Sequence, residues 1–366
     1  MRPESALPLR LSSAVCYSSM DPTSRAASSP DTSMVFIVLL NWNGIADTLG
    51  CLASLKKLDY ASRQTVVVDN GSDDGSPARL KAEYPDVPLL EHRTNLGFTG
   101  GVNAGIRYAL ARGADYIWLL NNDTLVDPHS LSALLAAANS DEAIALVSPL
   151  IYNYPDTRSL QFRGVFADLA GQGLIPASTL ETAPPDAPVG KPLLLWGTAL
   201  FIRATAIRRV GYFDERYFAY HEDLDYSLRT LAAGFQTVVE PRAVVYHKTP
   251  SSVRLESPFK AYLYSRNLLL FWSTHLDRLS RWTYRPKYLA WAIGQASELR
   301  DAGNHAAADA CLDGAWSALR GRYGPPTKAL PMPRALRHVV SSHPYLCIWL
   351  LTGQFQRILR ALASRP

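Results

Sequence analysis

The chain has only four cysteines, Cys16, Cys51, Cys311 and Cys347, far apart and never in C-x-x-C spacing. That scarcity excludes a zinc cluster and a disulfide scaffold, and it fits a reducing compartment. No stretch supplies the roughly twenty uncharged apolar residues of a membrane-spanning helix. The most apolar C-terminal piece, Tyr345-Leu-Cys-Ile-Trp-Leu-Leu351, is too short. No Walker A lysine is present, and no G-x-G-x-x-G follows the first apolar run, which weakens P-loop and dinucleotide-binding readings. An aromatic-basic RNA signature is also missing, so nucleic acid is not an expected partner.

What is present describes an ordinary globular protein. Its 366 residues are 48% hydrophobic and 19% charged, enough for one large core or a domain with an extension. The net charge of +5 is unevenly placed, with sixteen Lys/Arg against six Asp/Glu from Ser251 onward and a net acidic part before it. Residues 1–33 are rich in Ser, Pro, Thr and Ala without period. They read as a disordered leader or an overextended start, with Met34 opening the first strand. Pro8, Arg10 and two serines interrupt Leu7 to Val15 too often for a secretion signal.

From residue 34 the pattern alternates strand and helix. Val35 to Leu40 is a continuous apolar run, as expected of a strand covered on both faces, and ends at Asn41-Trp-Asn-Gly44. Thr65 to Val68 ends at Asp69-Asn-Gly-Ser72, and Val87 to Leu90 leads into Asn95-Leu-Gly-Phe-Thr-Gly-Gly101. A helix follows from about Gly101 to Arg112, and Tyr116 to Leu120 ends at Asn121-Asn122-Asp123-Thr124. This order predicts a mostly parallel sheet with right-handed crossovers. Strands that stop at Asn and Asp bring polar turns together along the carboxyl edge, where ligands bind in open α/β sheets. Asp123 is a hard ligand suited to a divalent metal that also holds a diphosphate. The plainer alternative makes this stretch a polar turn. Asp127-Pro128 is predicted to cap and open the next helix. Gly97, Gly100 and Gly101, ahead of a helix, permit close backbone approach to a phosphate.

The pattern continues with a helix over Ser130 to Ala138 and a strand over Ile144 to Val147. Residues 152–192 show no period and read as a functional loop or lid. Leu193 to Ile202 reads as one strand. Glu222, Asp223 and Asp225 fall in the first turn of a helix with Leu224, Leu228 and Leu231 on its apolar face. The helix dipole favours such charge by about 0.3–1 kcal/mol. Three carboxylates in four residues exceed what capping needs, so a catalytic role for at least one is the sharper reading. Val244 to His247 is a short strand whose last residue is either a structural histidine or a ligand. In the tail, Phe259 to Trp272 carries Lys260 and Arg266. Beyond it, Trp282, Tyr284, Tyr288 and Trp291 alternate with Arg281, Arg285 and Lys287. Two readings stand for these: packing helices, or an interfacial surface resting on anionic lipid.

Taken together the motifs resemble the family 2 glycosyltransferases of GT-A fold. The residues carrying this are Phe36-Ile-Val-Leu-Leu-Asn-Trp-Asn-Gly44, Val67-Val-Asp-Asn-Gly-Ser72, Asn95-Leu-Gly-Phe-Thr-Gly-Gly-Val-Asn103, Asn121-Asn-Asp-Thr124, Gly211-Tyr-Phe-Asp214 and Glu222-Asp-Leu-Asp225. The forms around Asn95 and Asn121 look most like the rhamnosyltransferase-like branch, which builds lipopolysaccharide O-antigen, cell-wall linkers and other bacterial surface polysaccharides. The resemblance implies an α/β GT-A domain over 34–250, with a Rossmann-like nucleotide-binding half, and a helical region over 251–366. It implies inverting transfer of one sugar, such as rhamnose, from a dTDP- or UDP-linked donor to a lipid-linked or polysaccharide acceptor. Mg²⁺ or Mn²⁺ would assist, and the location implied is cytoplasmic, peripheral at the inner face of the plasma membrane.

The same resemblance assigns roles. Asp69 matches the aspartate that bonds the pyrimidine base. Asn121 and Asp123 occupy the D-x-D positions, so Asp123 alone supplies a metal carboxylate there, with His247 completing the site. Asn41, Asn95 and Asn103 are expected on the donor side, with Arg93 beside the diphosphate. Asp223 matches the general base and Glu222 its neighbour; which of the two takes the proton stays open. Absence of Q-x-x-R-W and of spanning helices argues against a processive synthase. Two other classes fit the sequence less well. A sugar-nucleotide pyrophosphorylase would want a Gly-rich, basic loop after the first strand, which Asn41-Trp-Asn-Gly44 is not. A catalytically dead scaffold would not need Asp123, Asp223 and His247 intact.

Overall fold

Val35–Asn41 (β1) has no face left for solvent, and it runs through the interior of the main sheet. The computed structural model describes residues 32–177, 191–248 and 257–363, with side chains to residue 353. Residues 1–31, most of the segment read as a leader, lie outside the described residues. After β1 come Ile45–Leu55 (α1), Arg63–Asp69 (β2), Ser76–Glu83 (α2), Leu89–Glu91 (β3), Gly97–Ala111 (α3) and Tyr116–Asn121 (β4). Then follow Thr124–Val126 (β5), Ser130–Asn139 (α4), Ile144–Asn153 (β6), Leu160–Phe162 (β7), Val165–Asp168 (β8) and Gly173–Pro176 (β9). Leu193–Leu194 (β10), Ala199–Arg203 (β11), Ala204–Val210 (α5), Glu222–Ala232 (α6) and Gln236–His247 (β12) complete this part.

The main sheet runs β3-β2-β1-β4-β11-β6-β12-β5, with β7 beside β6, and β10-β8-β9 form a small second sheet. From β3 to β4 the pairing is parallel, as the alternation predicts. Beyond β4 the sheet is mixed. β11 runs antiparallel to both β4 and β6. Alternate residues of β1 enter different cores. Val35, Ile37 and Leu39 pack with Leu52 and Leu55 of α1 and Leu131 and Leu135 of α4. Phe36 and Val38 pack on the other face with Val102 and Ile106 of α3 and Tyr226 of α6.

Three local expectations are corrected. The predicted strand from Leu193 to Ile202 breaks at Trp196-Gly197-Thr198, leaving β10 and β11. Asp127 does not cap α4, which begins at Ser130; its Oδ1 accepts from His129 N at 2.9 Å, forming a local turn instead. Of the glycines read as an approach to phosphate, Gly101 packs on β1, as does Gly105 further along α3. A Cβ on Gly101 would overlap Leu40, and one on Gly105 would overlap Val38 and crowd Val68 Cγ2 at 3.2 Å. Their bareness lets α3 lie directly on β1 and β2.

The described chain forms two compact units, one of residues 32–214 with 222–248 and one of residues 215–221 with 257–363. The second is helical: Pro258–His275 (α7), Arg278–Asp301 (α8), His305–Leu319 (α9), Arg334–Ser342 (α10) and Pro344–Ala363 (α11). Ser257 caps α7 and Asp277 caps α8, each accepting from backbone N–H groups of the first turn. Several residues expected on a lipid-facing surface are interior here. Arg266 is buried, donating from Nη1 to Gly324 O at 2.6 Å and from Nη2 to Tyr217 O at 2.8 Å. Tyr284 and Tyr288 are buried as well, and the Tyr288 hydroxyl donates to Ser265 O at 2.8 Å. Backbone carbonyls within the unit take the donors of these side chains, so the mixed basic-aromatic pattern of α7 and α8 is largely packing. Trp282 remains exposed on α8, as do Tyr345, Leu346, Trp349 and Leu350 on α11.

Gly105→Ala tests the close contact between α3 and β1. The helix gains about 1 kcal/mol in propensity, whereas a methyl forced against the wholly buried Val38 costs about 1–3 kcal/mol of overpacking. The urea midpoint of the variant is therefore expected to fall. A midpoint at or above wild type would mean that α3 shifts off the sheet without cost.

Candidate active site

Parallel register places the ends of three strands side by side, with Asn41 opposite Asp69 and Leu40 opposite Asn121. The polar residues at those ends bond to one another. Asn41 Nδ2 donates to Asp69 Oδ2 at 2.7 Å and to Ser72 Oγ at 3.1 Å. Thr48 Oγ1, from the first turn of α1, donates to Asn41 Oδ1 at 2.7 Å. Asn122 Nδ2 donates to Thr48 Oγ1 at 2.9 Å and to Gly44 O at 3.2 Å. Ser72 N reaches Asp69 Oδ1 at 2.9 Å, so both carboxylate oxygens have donors. Asn70 ties in the next turn, donating to Asn95 Oδ1 at 2.9 Å, while Gly97 N donates to the same oxygen at 2.7 Å.

Asn121 closes β4 and Thr124 opens β5, so Asn122 and Asp123 form the tip of a tight turn. Thr124 Oγ1 donates to Asn121 O at 2.7 Å and holds that turn shut. β12 pairs with β5 and aligns His247 with Thr124. This puts His247 Nε2 3.2 Å from Asp123 Oδ1. The other ring nitrogen, Nδ1, lies 2.7 Å from Gln161 Oε1 of β7. The next residue, Lys248, donates its backbone N–H to Asp123 O at 2.9 Å, and its Nζ meets Asp47 Oδ1 at 2.9 Å. Cys51 lies beneath the turn, 3.6 Å from Thr124 Oγ1. Burial pushes its thiol up to about 12, which leaves it protonated and not a nucleophile.

The carboxylates of α6 have unlike surroundings. Asp225 is almost wholly buried and receives Arg229 Nε at 2.8 Å, a structural ion pair within the helix. Asp223 accepts from Gly197 N and from Leu224 N, each at 2.8 Å. Glu222 is 5% exposed, and its Oε2 finds no partner among the described residues. Burial raises the Glu222 carboxyl well above its ordinary range, and the neighbouring Asp223 adds to that rise. Burial raises Asp223 too, but its two backbone donors oppose the rise. The backbone donors thus favour the charged form of Asp223, while the largest influences on Glu222 favour its neutral form. One short segment joins this helix to the Asn121 turn: Gly197 N binds Asp223, and the carbonyl of adjacent Thr198 accepts from Asn121 N at 2.9 Å.

Of the residues expected on the donor side, Asn41, Asp69 and Asn95 are joined through these networks, and Asn121, Asp123 and His247 meet at one turn. Asn103 departs from expectation. It is buried and spends its amide on the Phe213 backbone, donating at 2.9 Å and accepting at 3.0 Å, so it ties α3 to the loop before α6 instead of facing a diphosphate. Thr48, Asn122, Gly197, Gln161 and Lys248 escaped the sequence reading. Thr48 carried one signal, since it stands one turn beyond Gly44 at the start of a helix. Gln161 carried none, because its strand shows no period.

Comparison with known proteins agrees with this geometry. The model of glycosyl transferase family 2 matches residues 36–216. The chain is 32% identical over 271 residues to an N-acetylglucosaminyl-diphospho-decaprenol L-rhamnosyltransferase of Mycobacterium tuberculosis, covering 68% of this chain and 85% of that one. It is 33% identical over 195 residues to a galactofuranosyltransferase of the same organism, covering 49% of this chain and 60% of the other. Among solved structures, GalNAc-T7 with UDP, GalNAc and Mn²⁺ superposes with a TM-score of 0.55 at 15% identity, covering 73% of this chain and about half (52%) of that one. This last likeness shows the fold, which is GT-A. With its motifs in order and its relative matched along most of its length, the chain belongs to the family 2 glycosyltransferases.

Proposed function

We propose that this protein transfers one sugar, with inversion, from a nucleotide-diphosphate donor to a lipid-linked acceptor in bacterial cell-surface glycan synthesis. The observation that carries it is the join between the two halves of the site: Gly197 holds Asp223 while Thr198 holds the Asn121 turn. A base and a donor-binding turn fixed by consecutive residues suit a single in-line displacement. Asp223 takes the proton of the acceptor hydroxyl as that oxygen attacks the anomeric carbon, and the bond to the nucleotide diphosphate breaks on the opposite side. To Asp69, held by Asn41 and the Ser72 N–H, we give the pyrimidine of a dTDP or UDP donor, a role carried over from the resemblance. Rhamnose is the sugar moved by the mycobacterial relative named above, and we carry it over as the donor sugar.

The residues present fit a divalent cation, Mg²⁺ or Mn²⁺. Asp123 offers a carboxylate, and the imidazole nitrogen His247 Nε2 beside it makes no hydrogen bond among the described residues. Such a cation, when bound, would neutralise the leaving diphosphate.

The surface that meets an anionic membrane is moved from α7 and α8 to α10 and α11. No Asp or Glu occurs after Asp313, while eight Lys/Arg follow it. Tyr345 is 76% exposed and Trp349 58%, with Leu346 beside them. Aromatic and apolar side chains in a wholly basic segment match the interface of an anionic bilayer. A lipid-linked acceptor gives that surface a purpose.

Two outcomes are expected. Asp223→Asn keeps shape but cannot accept a proton, so it should lower kcat by about 10²–10⁴ and leave donor affinity nearly unchanged. Glu222→Gln mimics the protonated acid and should keep most of the activity. The pH dependence of stability separates the pair further. Glu222 has a raised folded pKa, so as pH climbs above its ordinary 4.5 the unfolded chain ionises first and wild-type stability declines until the folded pKa is passed. Glu222→Gln should flatten that decline in thermal melts. A dead Glu222→Gln beside an active Asp223→Asn would reverse the assignment, and two active variants would move the base elsewhere.

For the membrane surface, the protein should sediment with phosphatidylglycerol vesicles and less with phosphatidylcholine ones, weakening as salt rises. Leu346→Ser with Trp349→Ser should abolish most of that binding. Equal binding to both vesicle types at every salt concentration, or a double variant that binds like wild type, would refute the surface. So would sedimentation by self-association without vesicles.

A further inference from the structure

We infer that Gln161 is a positioning residue that sets the tautomer of His247, so that the lone pair of Nε2 is presented beside Asp123. The inference deepens the reading of Asp123 and His247 as a cation site and rests on it. Three neighbouring strands supply the parts. β7 pairs with β6, and β6 with β12, whose His247 aligns with Asn153. Gln161 Nε2 donates to Asn153 Oδ1 at 3.0 Å, and Asn153 Nδ2 donates to Ser159 Oγ at 2.8 Å. Asn153 is fixed further by its backbone N–H, which donates to Ser159 O at 2.8 Å. With its amide nitrogen engaged there, Gln161 turns its oxygen toward His247, 2.7 Å from Nδ1.

An oxygen at that distance from Nδ1 requires the proton on Nδ1. In the neutral ring Nε2 is then an acceptor, and it stands 3.2 Å from another acceptor, Asp123 Oδ1. Two lone-pair atoms at this distance repel unless a positive charge joins them. If the amide chain ran the other way, Nε2 would carry the proton and donate to Asp123, yet Nε2 makes no hydrogen bond among the described residues. The arrangement fixes Nδ1 as a donor to Gln161 and turns Nε2 toward Asp123, where a cation or a second ring proton would join the two. Partners on the far ring nitrogen fix ring orientation and raise ligand basicity, and their loss costs about 10–100-fold in metal affinity. A carboxylate commonly fills the role; here a neutral amide does, which leaves the charge at the site to Asp123.

The test uses the full chain without nucleotide and has two arms. In the first, ¹⁵N-histidine spectra of metal-free protein report which ring nitrogen of His247 carries the proton, with His247→Asn identifying the signal. Where the wild-type ring carries a single proton, that proton should be on Nδ1, with Nε2 bare, and Gln161→Met, of similar volume, should lose that fixed preference. In the second, loss of the aqueous Mn²⁺ electron-spin signal measures binding of Mn²⁺ alone. Gln161→Met should weaken it about 10–100-fold, while Gln161→Glu, which restores an acceptor to Nδ1, should recover it. Asp123→Ala is the reference for a lost site. Wild type with its proton on Nε2, or Gln161→Met binding Mn²⁺ as tightly as wild type, overturns the inference while the cation site stands. Wild type that binds Mn²⁺ no better than Asp123→Ala overturns the cation site itself, and with it the purpose given to Gln161.

Discussion

A fully buried amide at the end of β1 constrains everything around it. Asn41 has no exposure, so water cannot satisfy its side chain, and an unpaired polar group there would cost about 1–3 kcal/mol. Its partners come from three directions: Asp69 and Ser72 after β2, Thr48 from α1, and Asn122 from the turn after β4. Each partner is thereby fixed in turn, and Asp69 has a donor on each of its oxygens. The carboxyl edge of the sheet is rigid because its polar groups satisfy one another.

The same economy of partners separates three carboxylates that look equivalent in sequence. Asp225 has an arginine, Asp223 has two backbone N–H groups, and Glu222 Oε2 has none among the described residues. Arginine makes the first a structural element. Backbone donors favour charge without neutralising it, which is what a base requires. Burial and the nearby Asp223 both push the Glu222 carboxyl toward its neutral form. The sequence left Glu222 and Asp223 undivided because the deciding donor, Gly197, lies in a segment read as continuous strand.

How far the sequence could be read follows from this. Apolar runs with Asn and Asp at their ends announced β1, β2 and β4 and the edge they share, because burial on both faces leaves a composition that admits few other structures. Asp123 and His247 were legible through motif order, since no local property of His247 marks it. β7 to β9 were not legible: short strands at a sheet margin bury too little to impose a period, so Gln161 was invisible. Gly101 was seen without its neighbour. Absence of a side chain records only that something comes close, and at Gly101 it is Leu40 of β1.

Arg266 and Asn267 show the same limit in the helical unit. Phe218, Tyr220 and His221 adopt positive φ angles of 66°, 71° and 71°, conformations that cost non-glycine residues about 1–3 kcal/mol each. Such a turn persists only if its carbonyls are held. Asn267 Nδ2 lies within 2.9 Å of the carbonyls of Tyr217, Ala219 and Tyr220, and Arg266 adds its own bond to Tyr217. A buried guanidinium is costly in itself, and burial lowers its pKa, so the turn's carbonyls and the guanidinium each need the other. In sequence, the Arg266-Asn267 pair is one more polar step in a basic and aromatic helix. Its meaning depends on a strained segment some fifty residues earlier in the chain, the one that directly precedes Glu222 and Asp223. Composition can describe a surface. It cannot distinguish an arginine turned outward to lipid from one turned inward to hold a strained loop, because that choice is made by carbonyls elsewhere in the chain.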